Sequence, residues 1–178
     1  MANEGTGPPA VGPAWHDAVM VRKSFNDKLQ GPADLPKVEA VDAAQAARRG
    51  GPRMLVAAPM QYDAIMSQIP EGQVTTVDRI RAHLATAADA DFTCPLTAGI
   101  FVTIVAHASE ERPDRPVPWW RTLKTGGELN PKYPGGVESH KAHLEAEGHT
   151  VRAAGTRYVV VDLDESLCSL PSAEPPGA

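Results

Sequence analysis

Three groups of side chains in this sequence are of the types that do chemistry. Cys94 stands just before Pro95 at an apparent helix start, where a thiol can lose its proton early and act as a nucleophile. Cysteine is more often an inert core residue, so Cys94 is carried only as an alternative nucleophile. His140, His143 and Glu147 fall at helical spacing and share a face that could hold a metal ion. His140 also shares the face of Val137 and Leu144, so packing is the expected role and no metal or other cofactor is assigned. The adjacent Trp119 and Trp120 lead into Arg121 and Lys124, and with Lys132 and Lys141 these cations outnumber Glu128 and Glu138. An aromatic wall stacks on a base and a basic flank contacts phosphate. The alternatives are aromatic core filling and a solvated charged face. Cys168 sits in tail-like sequence and carries no argument.

The elements that must position these groups are those of one modest domain. At 178 residues, with 42% hydrophobic and 22% charged residues, the chain is long enough for a single core. No apolar run spans a bilayer, the N-terminus lacks a secretory signal, and two cysteines make no disulfide scaffold, so a cytoplasmic protein is expected. A net charge of -5 argues against coating nucleic acid non-specifically but permits a local basic patch. Pro- and Gly-rich ends read as disordered tails at 1–13 and 169–178, with an extension or linker over 14–58 and a folded domain over 59–168. Tyr62, Ile65, Met66 and Ile69 repeat as one helix face before the turn Pro70-Glu71-Gly72. Thr75 or Thr76 then caps a second helix carrying Val77, Ile80 and Leu84. The run from Cys94 to His107 is β-branched and aromatic and leans towards strand by periodicity, but its length and the Thr93-Cys94-Pro95 start favour helix. A further helix runs from Tyr133-Pro134-Gly135-Gly136 to Glu147, and the segments 150–152 and 158–161 make a hairpin.

Taken in order, these residues resemble the DNA-binding domain of the alkylguanine-DNA alkyltransferases. Ile69-Pro70-Glu71-Gly72-Gln73-Val74-Thr75-Thr76 is similar to that family's first motif. Pro118-Trp119-Trp120-Arg121 stands at its active loop, and Tyr133-Pro134-Gly135-Gly136 with Lys141 to Gly148 is similar to its close. The resemblance covers about residues 60–150 and is specific through the order of its motifs. It implies an α/β, mostly α, winged-helix domain: a helix-turn-helix plus a small β wing.

The departures set the implied function. Trp119 replaces the acceptor cysteine and Trp120 the activating histidine, while the distal glutamate persists as Glu147. An indole is neither an adequate nucleophile nor a base. Val77 replaces the tyrosine that helps turn out the target nucleotide, and the gap-filling arginine falls near Thr97 or Ala98. Tryptophan at the cysteine position is also what the alkyltransferase-like proteins carry, although those usually keep the following histidine. The resemblance therefore implies non-catalytic binding of double-stranded DNA, plain or alkylated, with a repair protein as a further partner and no membrane. The implied pocket comprises Pro118, Trp119, Trp120, Arg121, Tyr133, Gly135, Gly136 and Glu147. The implied DNA contacts are Thr75, Thr76, Thr97, Ala98, Arg121, Lys124 and Lys132. A degenerate protein-interaction module without DNA binding, or an enzyme using Cys94, are the alternatives. On the pocket reading, Trp119→Ala impairs binding more than stability and Ile104→Ala does the reverse. Alanine at Arg121 and Lys124 should weaken binding to every sequence alike.

Overall fold

In the computed structural model, which describes residues 23–170, the chain begins with elements too short for periodicity to register. Ser24 caps α1 (Phe25–Leu29): its hydroxyl accepts from the Asp27 N–H, and the Asp27 carboxylate accepts from the Ser24 N–H, both at 3.0 Å. β1 (Lys37–Ala40) pairs antiparallel with β2 (Arg53–Val56). Between them runs α2 (Ala43–Arg49), capped by Asp42 and closed by Gly50 at φ 91°, a left-handed turn that suits glycine. β2 also pairs parallel with β4 (Phe92–Thr93), giving the order β1-β2-β4. The segment expected as an extension over 14–58 is thus built into the fold from Ser24 onward. Leu29, Leu55 and Ala57 are buried in one cluster with Tyr62, Val102 and Trp119. The tail expected at 1–13 lies outside the described residues.

Beyond residue 58 the apolar spacing and the elements agree closely. α3 (Pro59–Met66) buries Tyr62, Ile65 and Met66, one side of a short helix. Thr76 is the N-cap of α4 (Val77–Ala87), but its side chain makes no capping bond. It belongs instead to β3 (Thr75–Thr76), which pairs parallel with β5 (Thr122–Leu123). The ambiguous run is helical: α5 (Pro95–Glu110) starts with Cys94, not Thr93, as its N-cap. Proline in the first turn and sixteen residues of length outweigh the β-branched composition. α5 buries Ala98, Phe101, Val102 and Val105, and its far end is tied to α3 by Arg112 and Asp63 at 2.6 Å. Ile104, expected in the core, is only partly buried.

α6 (Gly136–Ala146) leads to the hairpin of β6 (Val151–Ala154) and β7 (Arg157–Val160) and then to α7 (Leu163–Ser166). Cys168 is no tail residue. It is buried, and its N–H donates to the Val74 carbonyl at 2.9 Å. Leu170 packs on the core as well, and residues 171–178 lie outside the described residues. The fold is mixed α/β in one domain, with helix outweighing strand, as expected. No helix among the described residues is long and apolar enough to cross a membrane.

Candidate nucleic-acid interface

Glu147, the C-cap residue of α6, gathers the three motif segments around one carboxylate. Its Oε1 accepts from Trp120 Nε1 at 2.8 Å and from Arg121 Nη2 at 2.7 Å, and its Oε2 accepts from Arg121 Nε at 2.9 Å. The Gly72 N–H adds a contact at 3.2 Å, and Arg121 Nη1 donates to the Ile69 carbonyl at 2.7 Å. The β3–β5 pairing brings these segments side by side. Burial pushes the Glu147 carboxyl up, but hydrogen bonds from Arg121 and Trp120 outweigh it and hold the group below its ordinary range. This is a paired structural carboxylate, with neither a free base nor an open face.

The loop at Pro118-Trp119-Trp120-Arg121 is filled. Trp119 is only 1% exposed and lies edge-on to Trp120, Tyr133, His140 and His143, while its indole N–H donates to Glu110 at 3.0 Å. The expectation of a stacking wall at Trp119 is corrected accordingly, because no face of this ring is open to a base. Trp120 is partly exposed, but His143 covers it in a stack with centroids 4.4 Å apart and planes at 13°. Tyr133 is buried with its hydroxyl unpartnered, and burial pushes its phenol above the ordinary value. Pro118 precedes the 3-10 turn Trp119–Arg121. Gly135 and Gly136 shape the entry to α6: at Gly135, with φ +71°, a Cβ would lie 2.5 Å from the Ser139 Cβ. These two glycines set a backbone turn and line no opening that Trp119 could wall.

His140 behaves as packing. Fully buried, it accepts the Asn130 N–H on Nδ1 at 3.1 Å and donates from Nε2 to the Trp120 carbonyl at 2.8 Å. Burial, the largest influence, lowers its pKa to about 4, so the ring is neutral in this fold. Among the described residues no three metal-ligating side chains converge. In the unfolded chain this histidine regains an ordinary pKa near 6.5 and takes up a proton that the folded state refuses. Stability should therefore fall as pH drops from about 6.5 to about 4. His140→Gln should flatten that slope and cost ~1–3 kcal/mol at pH 7, since one buried partner loses its bond. Urea titrations of both proteins across that pH range would check it, and an unchanged slope would refute the assignment.

Several expected DNA contacts are inaccessible. Thr75, Thr76 and Ala98 are buried, Arg121 is committed to Glu147, and Thr97 is half-buried with its hydroxyl donating to the Cys94 carbonyl at 3.3 Å. For the threonines and Ala98 the reason is position: β3 and the inner side of α5 belong to the core. Lys124 and Lys132 are placed differently, because both line an open groove of about 1070 Å³ along the outer face of α5. Its floor carries Leu96, 73% exposed, with Gly99, Ile100 and Thr103. Lys28, Arg81, Lys124, Lys132 and Arg157 surround it, against only Asp78 and Glu128. Glu128 pairs with Lys124 and, at 3.2 Å, with Arg157. Lys28, Arg81 and Arg157 were missed by sequence reasoning, because they come from three separate elements. The stripe of exposed Leu96, Gly99 and Ile100 with half-buried Thr103 did carry a signal, a second face at helical spacing within the apolar run.

Cys94 stands at the start of α5, away from the Glu147 cluster in sequence and contacts. Burial pushes its thiol up, but the N–H groups of Thr97 and Leu96, the Thr97 hydroxyl and the Arg81 charge bring it below the ordinary value. Burial raises the Cys168 thiol.

No protein-family model matches the chain, and no curated protein matches it. Among the solved structures similar to it are two complexes with DNA. One is S. pombe Atl1 in complex with damaged DNA containing O6-carboxymethylguanine, at 22% identity and a TM-score of 0.44, over 62% of this chain and 94% of that one. The other is S. pombe ATL in complex with DNA, at 23% identity and a TM-score of 0.42, over 62% of this chain and 92% of that one. Likeness at this level says nothing about what the present chain binds.

Proposed function

We propose that this protein is a non-catalytic, alkyltransferase-like DNA-binding protein that receives duplex DNA in the groove along α5. The observation that carries the proposal is charge placement: five cations against two carboxylates line one groove of a chain whose net charge is -5. Phosphates draw their affinity from such a local excess. In this reading α4 and α5 act as a helix-turn-helix and the β6–β7 hairpin as its wing, contributing Arg157. The absence of transfer chemistry follows from Trp119 and the paired Glu147, so repair of a bound lesion falls to a partner protein. Free Cys94 and Cys168 suit a reducing, cytoplasmic setting.

The test is a titration with plain and O6-alkylguanine duplexes at two salt concentrations. Binding that weakens steeply with salt is the expected result. Lys28→Ala and Lys132→Ala should each weaken every duplex alike and lower the log–log salt slope by about 1. Absence of binding to both duplexes refutes the reading. Incubation with methylated DNA should leave the protein's mass unchanged, and a methyl group found on Cys94 would make the chain an enzyme. A second reading, a protein-interaction module, is favoured by one feature: the groove floor at Leu96 and Ile100 is apolar.

A further inference from the structure

The apolar floor of the groove is not explained by phosphate binding, and large exposed side chains in a row usually have an occupant. Leu96 and Ile100 are 73% and 48% exposed on the outer face of α5. The chain reaches this groove from one end. Phe25 stacks on His107 of α5 with centroids 4.5 Å apart, and the Glu111 carboxylate accepts from the Phe25 and Asn26 N–H groups at 3.0 and 2.9 Å. Phe25 and Lys28 themselves line the groove, so α1 is clamped at its rim, and in sequence it follows directly on the residues before Lys23. We infer that this N-terminal segment, through Trp15 and the apolar residues Val19 and Met20, docks on the Leu96–Ile100 face of α5 in the same molecule.

Three properties fit that occupant. The 22 residues before Lys23 carry Glu4 and Asp17 against one cation, Arg22, a slight acidic excess beside a rim with a cationic excess. They supply Val11, Trp15, Val19, Met20 and Val21, a large apolar content for so short a stretch. Reach is sufficient: from His107 back to Leu96 is roughly 16 Å of helix at ~1.5 Å per residue. Ten residues of chain from Phe25 to Trp15 span up to ~33 Å extended. A short tether also gives an effective concentration of about millimolar, so even a weak contact is populated. Docking needs no DNA. Its consequence for regulation rests on the DNA reading above: a segment on α5 competes with duplex for the same face.

The full-length chain carrying benzoylphenylalanine in place of Trp15 provides the test. On irradiation without DNA, the expected crosslink falls within one chain on the peptide that contains Leu96 and Ile100. Combining the label with Leu96→Ser and Ile100→Ser, both surface positions that leave the fold intact, should abolish it. Crosslinks elsewhere, crosslinks between two chains, or a crosslink indifferent to the serine substitutions would each overturn the inference. Trp15→Ser with Val19→Ser in the full-length protein should tighten plain duplex binding, by about tenfold if the face is docked about nine-tenths of the time. If the crosslink forms but neither protein binds duplex, the docking stands and the DNA reading falls.

Discussion

Trp119→Ala should melt far below the wild type while leaving the groove's affinity for duplex unchanged when measured below that melting point. The side chain is 1% exposed and touches four aromatic rings, so its removal opens a cavity that rigid neighbours cannot close. Truncating a buried tryptophan costs ~3–5 kcal/mol, a large part of the ~5–15 kcal/mol that holds a domain together. In a domain of this size that corresponds to a fall in Tm of roughly 10 °C. Ile104→Ala, by contrast, removes a partly buried side chain at the edge of the core, and its stability cost should be the smaller. This ordering reverses the one expected from motif position alone. Scanning calorimetry and a duplex titration on the two variants decide it. Unchanged melting with lost binding in Trp119→Ala would restore the stacking wall.

Motif position told where Trp119 lies along the chain but not which way its ring points. The resemblance brought residues 69–76, 118–121 and 141–148 together, and the structure does join them, through Glu147. What order of motifs cannot convey is that a side chain as large as Trp119 fills its loop as core instead of walling a pocket. The helices at α3 and α4 were readable because their apolar residues repeat along one face, and α5 because of its length and its Cys94-Pro95 start, against a strand-like run. α1, β1 and β2 were not, since strands of four residues and a five-residue helix leave too few positions for a pattern. Arg121 illustrates the remaining gap. Counted with Lys124 and Lys132 it looked like a phosphate contact, yet its charge is spent on a carboxylate 26 residues away in sequence. Lys28 and Arg157 reach the same groove from opposite ends of the chain, and no local count joins them.

The Arg121–Glu147 pair offers the second large effect, because both side chains are nearly buried, at 13% and 10% exposure. Removing one partner of such a pair strands the other's charge, and that costs ~3–5 kcal/mol. Glu147→Gln also weakens the acceptor for the Trp120 indole and the Gly72 amide, so the turn at Ile69-Pro70-Glu71-Gly72 should loosen with it. The acid limb of stability gives an independent check. Glu147 has a folded pKa below the ordinary 4.5 of the unfolded chain, so its contribution is complete above that value and disappears as pH falls through the folded pKa. Glu147→Gln should therefore be less stable at pH 7 yet lose less stability below pH 4.5 than the wild type. The double variant Arg121→Met with Glu147→Gln separates pairing from packing. If the cost of each single change is mainly the stranded charge, the double variant should be more stable than Glu147→Gln alone. Additive losses across the cycle, measured by urea denaturation at pH 7, would mean that the two side chains act through separate contacts and that Glu147 does not hold the three segments together through Arg121.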